Sequence, residues 1–370
     1  MPKNLKTITF LLASLRGGGA ERVILTIAKG LSDKGYKVDI VLVKAEGEYL
    51  EQVHQNIHLV DLKSNRAIFC IPKLIKYFRQ ENPAVVFSSL PHVSLATLIA
   101  HTLAISKSHV FLIEHNTLSL SVKNSNTAKG KMLPLFMKLF YPISSGIIAV
   151  SEGVASDLVS ILKISRERIQ VIYNPVVTNS ILELSMEPSK HPWLGNNQPP
   201  VVLGVGRLTY AKNFQLLIRS FAKVRDTLAA RLIILGDGPD RPELEHLVET
   251  LNLSENVSMP GFVENPYTYY RNASVFVLSS RWEGLPTVLI EALACGTHVI
   301  STDCPSGPRE ILEHGRWGTL VQCPNESKLA HAISDVLVTS MPPVGQDFLN
   351  RFSLEQSVSK YQSIIERVKN

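Results

Sequence analysis

The feature that most restricts the fold of this chain is a regular alternation of short apolar runs with helical patterns along its whole length. We expect β-strands at residues 7–15, 36–43, 84–88, 109–113, 146–150, 169–172, 201–205, 231–235, 274–278, 298–301 and 319–321. Helical patterns lie between them, for example at 20–34, 152–162 and 214–228. Such alternation predicts an α/β fold with doubly wound parallel sheets that helices cover on both faces.

The length of 370 residues fits two domains of roughly 180 residues each. Between the halves lies a polar segment with four prolines, which indicates a linker. We therefore predict a first domain over 1–180, a linker over 181–200, a second domain over 201–345 and a C-terminal helix over 346–370 that packs back on the first domain. In such sheets ligands bind beyond the carboxyl ends of the strands, here in a cleft between the domains.

The two halves differ in charge. Residues 1–180 contain 21 Lys and Arg against 12 Asp and Glu, a net charge of +9, whereas residues 181–370 contain 17 against 20, a net charge of −3. This asymmetry indicates that the first half meets something anionic, such as a phosphate, a nucleic acid or a membrane surface. No motif with interleaved basic and aromatic residues is visible, so we expect no nucleic-acid partner.

Composition and targeting signals exclude several classes of protein. With 45% hydrophobic and 19% charged residues the chain is neither disordered nor fibrous. The most apolar stretch, 84–105, contains Pro91 and two histidines, and the run at 7–15 is followed by Arg16 and three glycines instead of a cleavage site. Four widely spaced cysteines fit neither a disulfide framework nor a metal site. We expect a cytoplasmic protein.

Two cations follow the strand at 201–205. Arg207 and Lys212 lie at a strand end just before a helix, where both side chains can reach one diphosphate. A solvated loop explains them equally well. The glycines at 204 and 206 lack the third glycine of a dinucleotide fingerprint, which makes NAD a weak candidate. The backbone of Val263, after Gly261-Phe262, is placed to read a flat base edge.

The strongest signal is a loop and helix that follow the strand at 274–278. Glu283 lies in the loop and Glu291 just beyond the first turn of a helix that we expect to begin at Pro286 and to end before Gly296. Carboxylates repel phosphate but accept hydrogen bonds strongly from sugar hydroxyls. Free amides at the helix start form an anion site, and the residues that supply them are Leu285, Thr287 and Val288. This combination indicates a nucleotide-sugar site, and two unrelated glutamates on a solvated helix are the alternative.

The first half offers three weaker candidates. His115 follows the strand at 109–113 and could donate to a sugar hydroxyl, although a lone histidine is more often structural. Gly19, in the turn between the first strand and first helix, would let the backbone approach a donor or acceptor. The segment 88–92 ends another strand and is a candidate for contact with the acceptor.

Taken together, these motifs resemble a retaining glycosyltransferase of family 4, of the type found in bacterial surface-polysaccharide assembly. The resemblance covers essentially the whole chain and rests on Glu283-x7-Glu291, Arg207-x4-Lys212, Gly236-Asp237-Gly238-Pro239 and Gly18-Gly19-Ala20-Glu21-Arg22. It implies the GT-B fold, in which two Rossmann-like domains face each other across a cleft.

The resemblance also implies a role for each candidate residue. Arg207 and Lys212 would hold the diphosphate, Glu291 the ribose, and the Val263 backbone the base. Glu283 and the amides after it would hold the donor sugar, and His115 would be the active-site histidine. The chain departs from the family at 284–287, where it has Gly-Leu-Pro-Thr instead of Gly-Phe-Gly-Leu. Because proline has no N–H, one sugar contact is absent.

The expected reaction is transfer of a hexose or N-acetylhexosamine from a UDP-linked donor to a lipid-diphosphate-linked glycan, with retention by front-face attack. No metal is expected, since there is no Asp-x-Asp at a strand end and the cations can neutralise the leaving diphosphate. Three alternatives stay open: a GT-B sugar-nucleotide epimerase, an NAD-dependent oxidoreductase and a non-catalytic binding protein.

The segment 129–141, in which three lysines lie among apolar residues, is a candidate for contact with the membrane that holds the acceptor. If the segment is helical, Met132, Leu135, Phe136 and Leu139 share a face, and Pro134 requires the helix to begin there or to kink. Such a helix with three lysines can lie in the headgroup region of an anionic membrane. The alternative is that this face packs into the first domain.

Overall fold

The computed structural model describes residues 7–124, 127–195, 197–322, 324–339 and 345–368. The chain divides into two compact units. The first unit comprises Met1–Pro175 and Phe352–Asn370, and the second comprises Val176–Arg351.

The first unit is a seven-stranded sheet in the order β3-β2-β1-β4-β5-β6-β7, with every pair parallel. Its strands are β1 (Ile8–Leu12), β2 (Val38–Leu42), β3 (His58–Asp61), β4 (Val85–Ser89), β5 (His109–Glu114), β6 (Gly146–Ala149) and β7 (Ile169–Val171). Its first six helices are α1 (Gly19–Asp33), α2 (Ile71–Glu81), α3 (Pro91–Ala104), α4 (Leu118–Lys123), α5 (Ala128–Phe140) and α6 (Glu152–Leu162).

The second unit is a six-stranded sheet in the order β10-β9-β8-β11-β12-β13, also parallel throughout. Its strands are β8 (Val201–Val205), β9 (Arg231–Leu235), β10 (Val257–Gly261), β11 (Val275–Leu278), β12 (Val299–Thr302) and β13 (Thr319–Val321). Its helices are α7 (Asn179–Ser185), α8 (Phe214–Arg225), α9 (Arg241–Thr250), α10 (Tyr267–Asn272), α11 (Thr287–Ala294), α12 (Pro308–Ile311), α13 (Glu326–Val338) and α14 (Gln346–Leu349).

The central strands are buried because helices cover both faces of each sheet. Every residue of β1, β2 and β4 is buried. The last helix, α15 (Leu354–Arg367), returns to the first unit and packs against α1. A β-carbon at Gly30 of α1 would lie 2.6 Å from Cγ2 of Val358, so the glycine lets the two helices approach closely.

The segment between the halves is more ordered than its prolines suggest. Residues 181–200 include most of α7, and the following stretch packs on the second unit. The His191 ring bonds to the Ser258 hydroxyl at 3.1 Å, and the Arg231 guanidinium lies 4.8 Å from the Trp193 ring centre.

In each sheet the order in which successive strands are added reverses at a central strand. β1 lies between β2 and β4, and β8 lies between β9 and β11. At such a point the loops from neighbouring strands diverge and leave a crevice at the carboxyl edge. The candidate residues follow these strands, with Arg207 after β8 and Glu283 after β11.

Candidate active site

The loops that follow β8 and β11 are bound to each other. The Ser279 hydroxyl donates to the Lys212 carbonyl at 3.0 Å, and the Arg281 amide donates to the Ala211 carbonyl at 2.7 Å. The Arg281 guanidinium also donates to Oδ1 of Asn213 at 2.9 Å and lies 4.3 Å from the Tyr210 ring centre. These contacts fix the two candidate loops side by side.

This arrangement brings Lys212 and Glu283 together, 71 residues apart in sequence. Lys212 Nζ lies 2.6 Å from Oε1 of Glu283, and the Ser280 hydroxyl donates to the same oxygen at 2.6 Å. The side chains are 23% and 9% exposed, respectively. A shielded, charge-assisted pair of this kind holds both groups in one geometry.

Arg207 has a different environment. Its side chain is exposed and makes no hydrogen bond or ion pair with the described residues. Two glycines of the β9 turn support its loop: a β-carbon at Gly236 would lie 2.1 Å from the Gly206 carbonyl oxygen, and one at Gly238 would lie 2.3 Å from that of Leu208. Because only glycine permits this approach, the turn fixes the loop while the guanidinium stays available to an anion.

Helix α11 begins one residue later than the sequence suggests. Pro286 precedes the helix in an extended conformation, and Thr287 is the first helical residue. As first residues of a helix, Thr287 and Val288 have amides without intrahelical acceptors, as an anion site requires. The Ser306 hydroxyl donates to the Gly284 carbonyl at 2.9 Å and braces the turn, in which Leu285 is buried.

Glu291 lies on the buried side of α11. It is 8% exposed, and its Oε2 accepts a hydrogen bond from the Tyr270 hydroxyl at 3.1 Å. Burial, with the nearby carboxylate, raises the pKa of Tyr270, so this hydroxyl keeps its proton and donates. Val263 follows edge strand β10 by two residues and is half-buried.

In the first unit, a buried acid lies beside the candidate histidine. Glu114 ends β5 and is 3% exposed, and the Tyr141 hydroxyl donates to its Oε1 at 2.5 Å. Burial raises the pKa of Glu114 to about 7 and lowers that of His115 to about 4. Nε2 of His115 is buried and has no hydrogen-bond partner among the described residues. His115 is therefore a neutral imidazole at neutral pH, with one nitrogen uncommitted.

Two family models match the chain, one described as glycosyltransferase family 4 over residues 17–180 and one as glycosyl transferases group 1 over residues 186–343. The N-acetylgalactosamine-N,N'-diacetylbacillosaminyl-diphospho-undecaprenol 4-alpha-N-acetylgalactosaminyltransferase of Campylobacter jejuni is 30% identical over 357 residues, or 90% of each protein. The chain belongs to glycosyltransferase family 4. It is therefore an enzyme that transfers a sugar.

Further comparisons give another relative and a solved structure with the same fold. The amylovoran biosynthesis glycosyltransferase AmsD of Erwinia amylovora is 28% identical over 300 residues, which cover 80% of each protein. The crystal structure of HepE from Anabaena in complex with UDP has a TM-score of 0.75 over 98% of this chain and all of that one, at 20% identity. The fold is thus GT-B, with two Rossmann-like sheets, and the family 4 enzyme acts in polysaccharide or glycoconjugate biosynthesis.

Some partners of the site are not apparent from the sequence of this glycosyltransferase. Ser280 and Arg281 belong to the motif around Glu283, but their contacts with Glu283 and Asn213 depend on the fold. Tyr270 and Tyr141 lie 21 and 27 residues from the glutamates they bind, and no spacing rule connects them. Within the described part of the chain, no cluster of three or more His, Cys, Asp or Glu residues could hold a metal ion.

Helix α5 covers most of the segment 129–141, and its apolar face is exposed. The helix continues through Pro134 instead of beginning there. Its apolar face does not pack into the unit: the exposed fractions of Met132, Leu135, Phe136 and Leu139 are 50%, 65%, 44% and 67%, and Met137 is the buried residue of the helix. Such a contiguous exposed apolar face marks a contact surface.

The acid beside His115 leads to a prediction about pH. Between about pH 4.5 and 7 the unfolded chain has lost a Glu114 proton that the folded chain keeps, so this group lowers the free energy of unfolding as pH rises. His115 has the opposite effect between about pH 4 and 6.5, where only the unfolded chain binds the proton. This group therefore raises the free energy of unfolding as pH rises. The two contributions partly cancel in the wild type.

Replacing Glu114 by glutamine removes the contribution that lowers the free energy of unfolding as pH rises. The glutamine keeps a side-chain oxygen that can accept from Tyr141. We expect the stability of Glu114→Gln relative to wild type to increase between pH 4.5 and 7, by on the order of 2–3 kcal/mol. Thermal unfolding of both proteins across this range measures the difference, with the exposed Glu81→Gln as the control. A stability difference that stays constant with pH would contradict this account.

Gly19 allows a test of whether a substrate contacts the backbone at the start of α1. It is the first residue of α1, and a β-carbon there meets no atom within 4 Å. We expect Gly19→Ala to keep the wild-type Tm but to lower transfer by roughly tenfold to hundredfold, because the methyl group displaces a substrate that should contact the backbone.

Gly47→Ala serves as the contrasting variant for Gly19→Ala. Gly47 has φ +119°, and its β-carbon would lie 2.1 Å from the Leu15 carbonyl oxygen, so this change should lower Tm. Steady-state rates and thermal unfolding of both variants separate substrate contact from folding. Wild-type rates in Gly19→Ala would remove Gly19 from the substrate site.

Proposed function

We propose that this enzyme transfers a hexose or N-acetylhexosamine from a UDP-linked donor to a lipid-diphosphate-linked glycan, with retention at the anomeric carbon. The observation that carries the proposal is the Lys212–Glu283 pair, shielded beside the start of α11 and close in sequence to the uncommitted Arg207. Cations and helix amides suit a diphosphate, and carboxylates suit sugar hydroxyls.

The proposed division of labour follows from each group's environment. Arg207 can bind the diphosphate directly. Lys212 must either leave Glu283 to bind the diphosphate or contact both groups together. Glu283 would then accept from donor-sugar hydroxyls while Ser280 holds its carboxylate. Glu291 would bind the ribose and the Val263 backbone the base. Neutral His115 would donate to a sugar hydroxyl from its first-unit strand end.

The chemistry we propose is front-face attack. The departing phosphate oxygen accepts the proton of the attacking acceptor hydroxyl on the same face of the sugar, so the new bond keeps the donor's anomeric configuration. Arg207, Lys212 and the α11 amides stabilise the charge that develops on the diphosphate. On this basis the reaction needs no metal ion.

The acceptor proposal rests on relatives and on charge. The Campylobacter jejuni relative is named for a diphospho-undecaprenol acceptor. The net charge of +9 over residues 1–180 suits a lipid diphosphate and an anionic bilayer. Within the described residues no helix is long and apolar enough to span a membrane. We propose that the exposed face of α5 binds the cytoplasmic leaflet of the inner membrane peripherally.

The direct test is UDP release. The purified chain is incubated with UDP-sugars, with and without undecaprenyl-diphosphate-linked glycans, in the presence and absence of EDTA. We expect UDP release that requires the lipid-linked acceptor and survives EDTA. Proton NMR of the product should show the anomeric configuration of the donor. Turnover of NAD without UDP release, or an inverted product, would contradict the proposal.

Membrane contact has its own test, co-sedimentation with anionic and neutral vesicles at low and high salt. Lys129, Lys131 and Lys138 are exposed, and each lysine near anionic lipid contributes about 1 kcal/mol. Changing all three to glutamate should weaken anionic-vesicle binding by at least about a hundredfold. The matched control changes Lys29, Lys34 and Lys107 to glutamate, so that both triple variants have the same net charge. Equal losses in both triple variants would show that the net charge, not α5, governs binding.

A further inference from the structure

An open groove of about 740 Å³ lies in the first unit, along the carboxyl edge of its sheet. It is bounded by segments that follow β1, β2 and β3 and by helices α3 and α5. The volume falls within the range of small-molecule sites, roughly 300–1,000 Å³. Most lining side chains are apolar, among them Ile68, Leu95, Ile99, Leu133 and Phe136.

The groove also carries an excess of positive charge. Arg16, Lys44, Arg66 and Lys129 line it and are exposed, so their charges lie at its opening. Arg16 and Lys44 share the one carboxylate there, that of Glu46. The side chains of Arg66 and Lys129 form no ion pair with any residue that the structure describes. An apolar interior with a cationic opening fits an amphiphile with an anionic head.

The groove is continuous with the exposed face of α5. Phe136 lines the groove and is also 44% exposed on the face that includes Leu135 and Leu139. Ile68, which also lines the groove, is 65% exposed. A hydrocarbon chain on the exposed face of α5 would therefore contact the groove at Phe136.

We propose that this groove binds the first isoprene units of the acceptor lipid, with the lipid diphosphate at Arg66 and Lys129. The inference rests on the proposed function, because it takes the acceptor to be a prenyl diphosphate. The head group suits the cations, and the branched hydrocarbon next to it suits the apolar walls. The groove then makes the enzyme select the lipid as well as the glycan.

Farnesyl diphosphate tests the groove without donor, glycan or membrane. Calorimetry on the full chain should show binding at least about tenfold tighter than that of inorganic diphosphate, because the hydrocarbon is buried. Ile99→Trp should weaken binding about tenfold by filling the groove. Leu103→Trp is the matched control, one turn further along α3, 55% exposed and outside the groove. It should bind as wild type does.

A second set of three variants changes exposed residues, which are less prone than Ile99 to disturb folding. Ile68→Asp changes an exposed residue and should weaken farnesyl diphosphate binding. Arg66→Glu should weaken it too, whereas its control, the distant Lys107→Glu, should not. A wild-type Tm and circular dichroism spectrum show that the variants remain folded. Equal affinity for farnesyl and inorganic diphosphate, equal affinity for palmitate, or no effect of Ile99→Trp and Ile68→Asp would overturn the inference. Failure of transfer to lipid-linked glycans would instead overturn the proposed function, since farnesyl diphosphate binding does not depend on catalysis.

Discussion

Replacing Arg207 by alanine is expected to lower transfer about a hundredfold, as for the loss of one preorganised donor at a developing charge. The Tm should not change, because the exposed guanidinium makes no hydrogen bond or ion pair with the described residues. Arg219→Ala, an exposed arginine on α8, is the matched control and should retain wild-type rates. Steady-state kinetics and thermal unfolding measure both effects.

Lys212→Ala should lower the rate by a similar factor but also lower the Tm. Its removal takes away the cation of the ion pair with Glu283, whose side chain is 9% exposed, and a buried charge that loses its countercharge is costly. The contrast between the two variants distinguishes a cation that acts on substrate alone from one that also stabilises the loop. Full activity in either variant would place the diphosphate elsewhere.

The second large effect should appear at Glu283. Glu283→Gln is expected to lower kcat by roughly a hundredfold to a thousandfold while UDP affinity changes little, because this carboxylate would contact the donor sugar and not the nucleotide. Ser280→Ala, which removes only the hydrogen bond to Oε1, should have a much smaller effect on kcat.

Glu291→Gln should show the reverse pattern, with UDP affinity lowered about tenfold through loss of a charged acceptor for the ribose. Tyr270→Phe is its control, because it removes one hydrogen bond to Glu291 and leaves the carboxylate in place. Titration with UDP separates the two glutamates. Equal UDP affinity in wild type and Glu291→Gln, or lost affinity in Glu283→Gln, would exchange or remove the assigned roles.

The sequence predicts the central strands of both sheets and the edge strands β7 and β13, but not the edge strands β3 and β10. Strands β8, β9 and β13 agree with the expected ranges, and the other predicted strands differ by up to three residues at an end. The central strands are recognisable because fully covered strands are continuous apolar runs. The edge strands β3 and β10 escape prediction. Both are partly exposed, and each has at most two consecutive apolar residues.

Motif spacing brings out single residues of the candidate site but not their partners. The motif Glu283-x7-Glu291 follows from one loop and one helix, so its spacing is visible in the sequence. The pairing of Lys212 with Glu283 depends on how β8 and β11 lie side by side, which only the sheet order determines. The exposed apolar face of α5 shows the same limit, since its pattern fits a membrane contact and a packed helix equally well.

The central claim is that the donor diphosphate binds at the carboxyl edge of the second sheet. A crystal structure of the protein with UDP bound tests it most directly. We predict diphosphate oxygens within hydrogen-bond distance of the Arg207 guanidinium, Lys212 Nζ and the amides at the start of α11, with the ribose hydroxyls on Glu291. A diphosphate bound away from Arg207 and Lys212, with the Lys212–Glu283 pair undisturbed, would contradict the account.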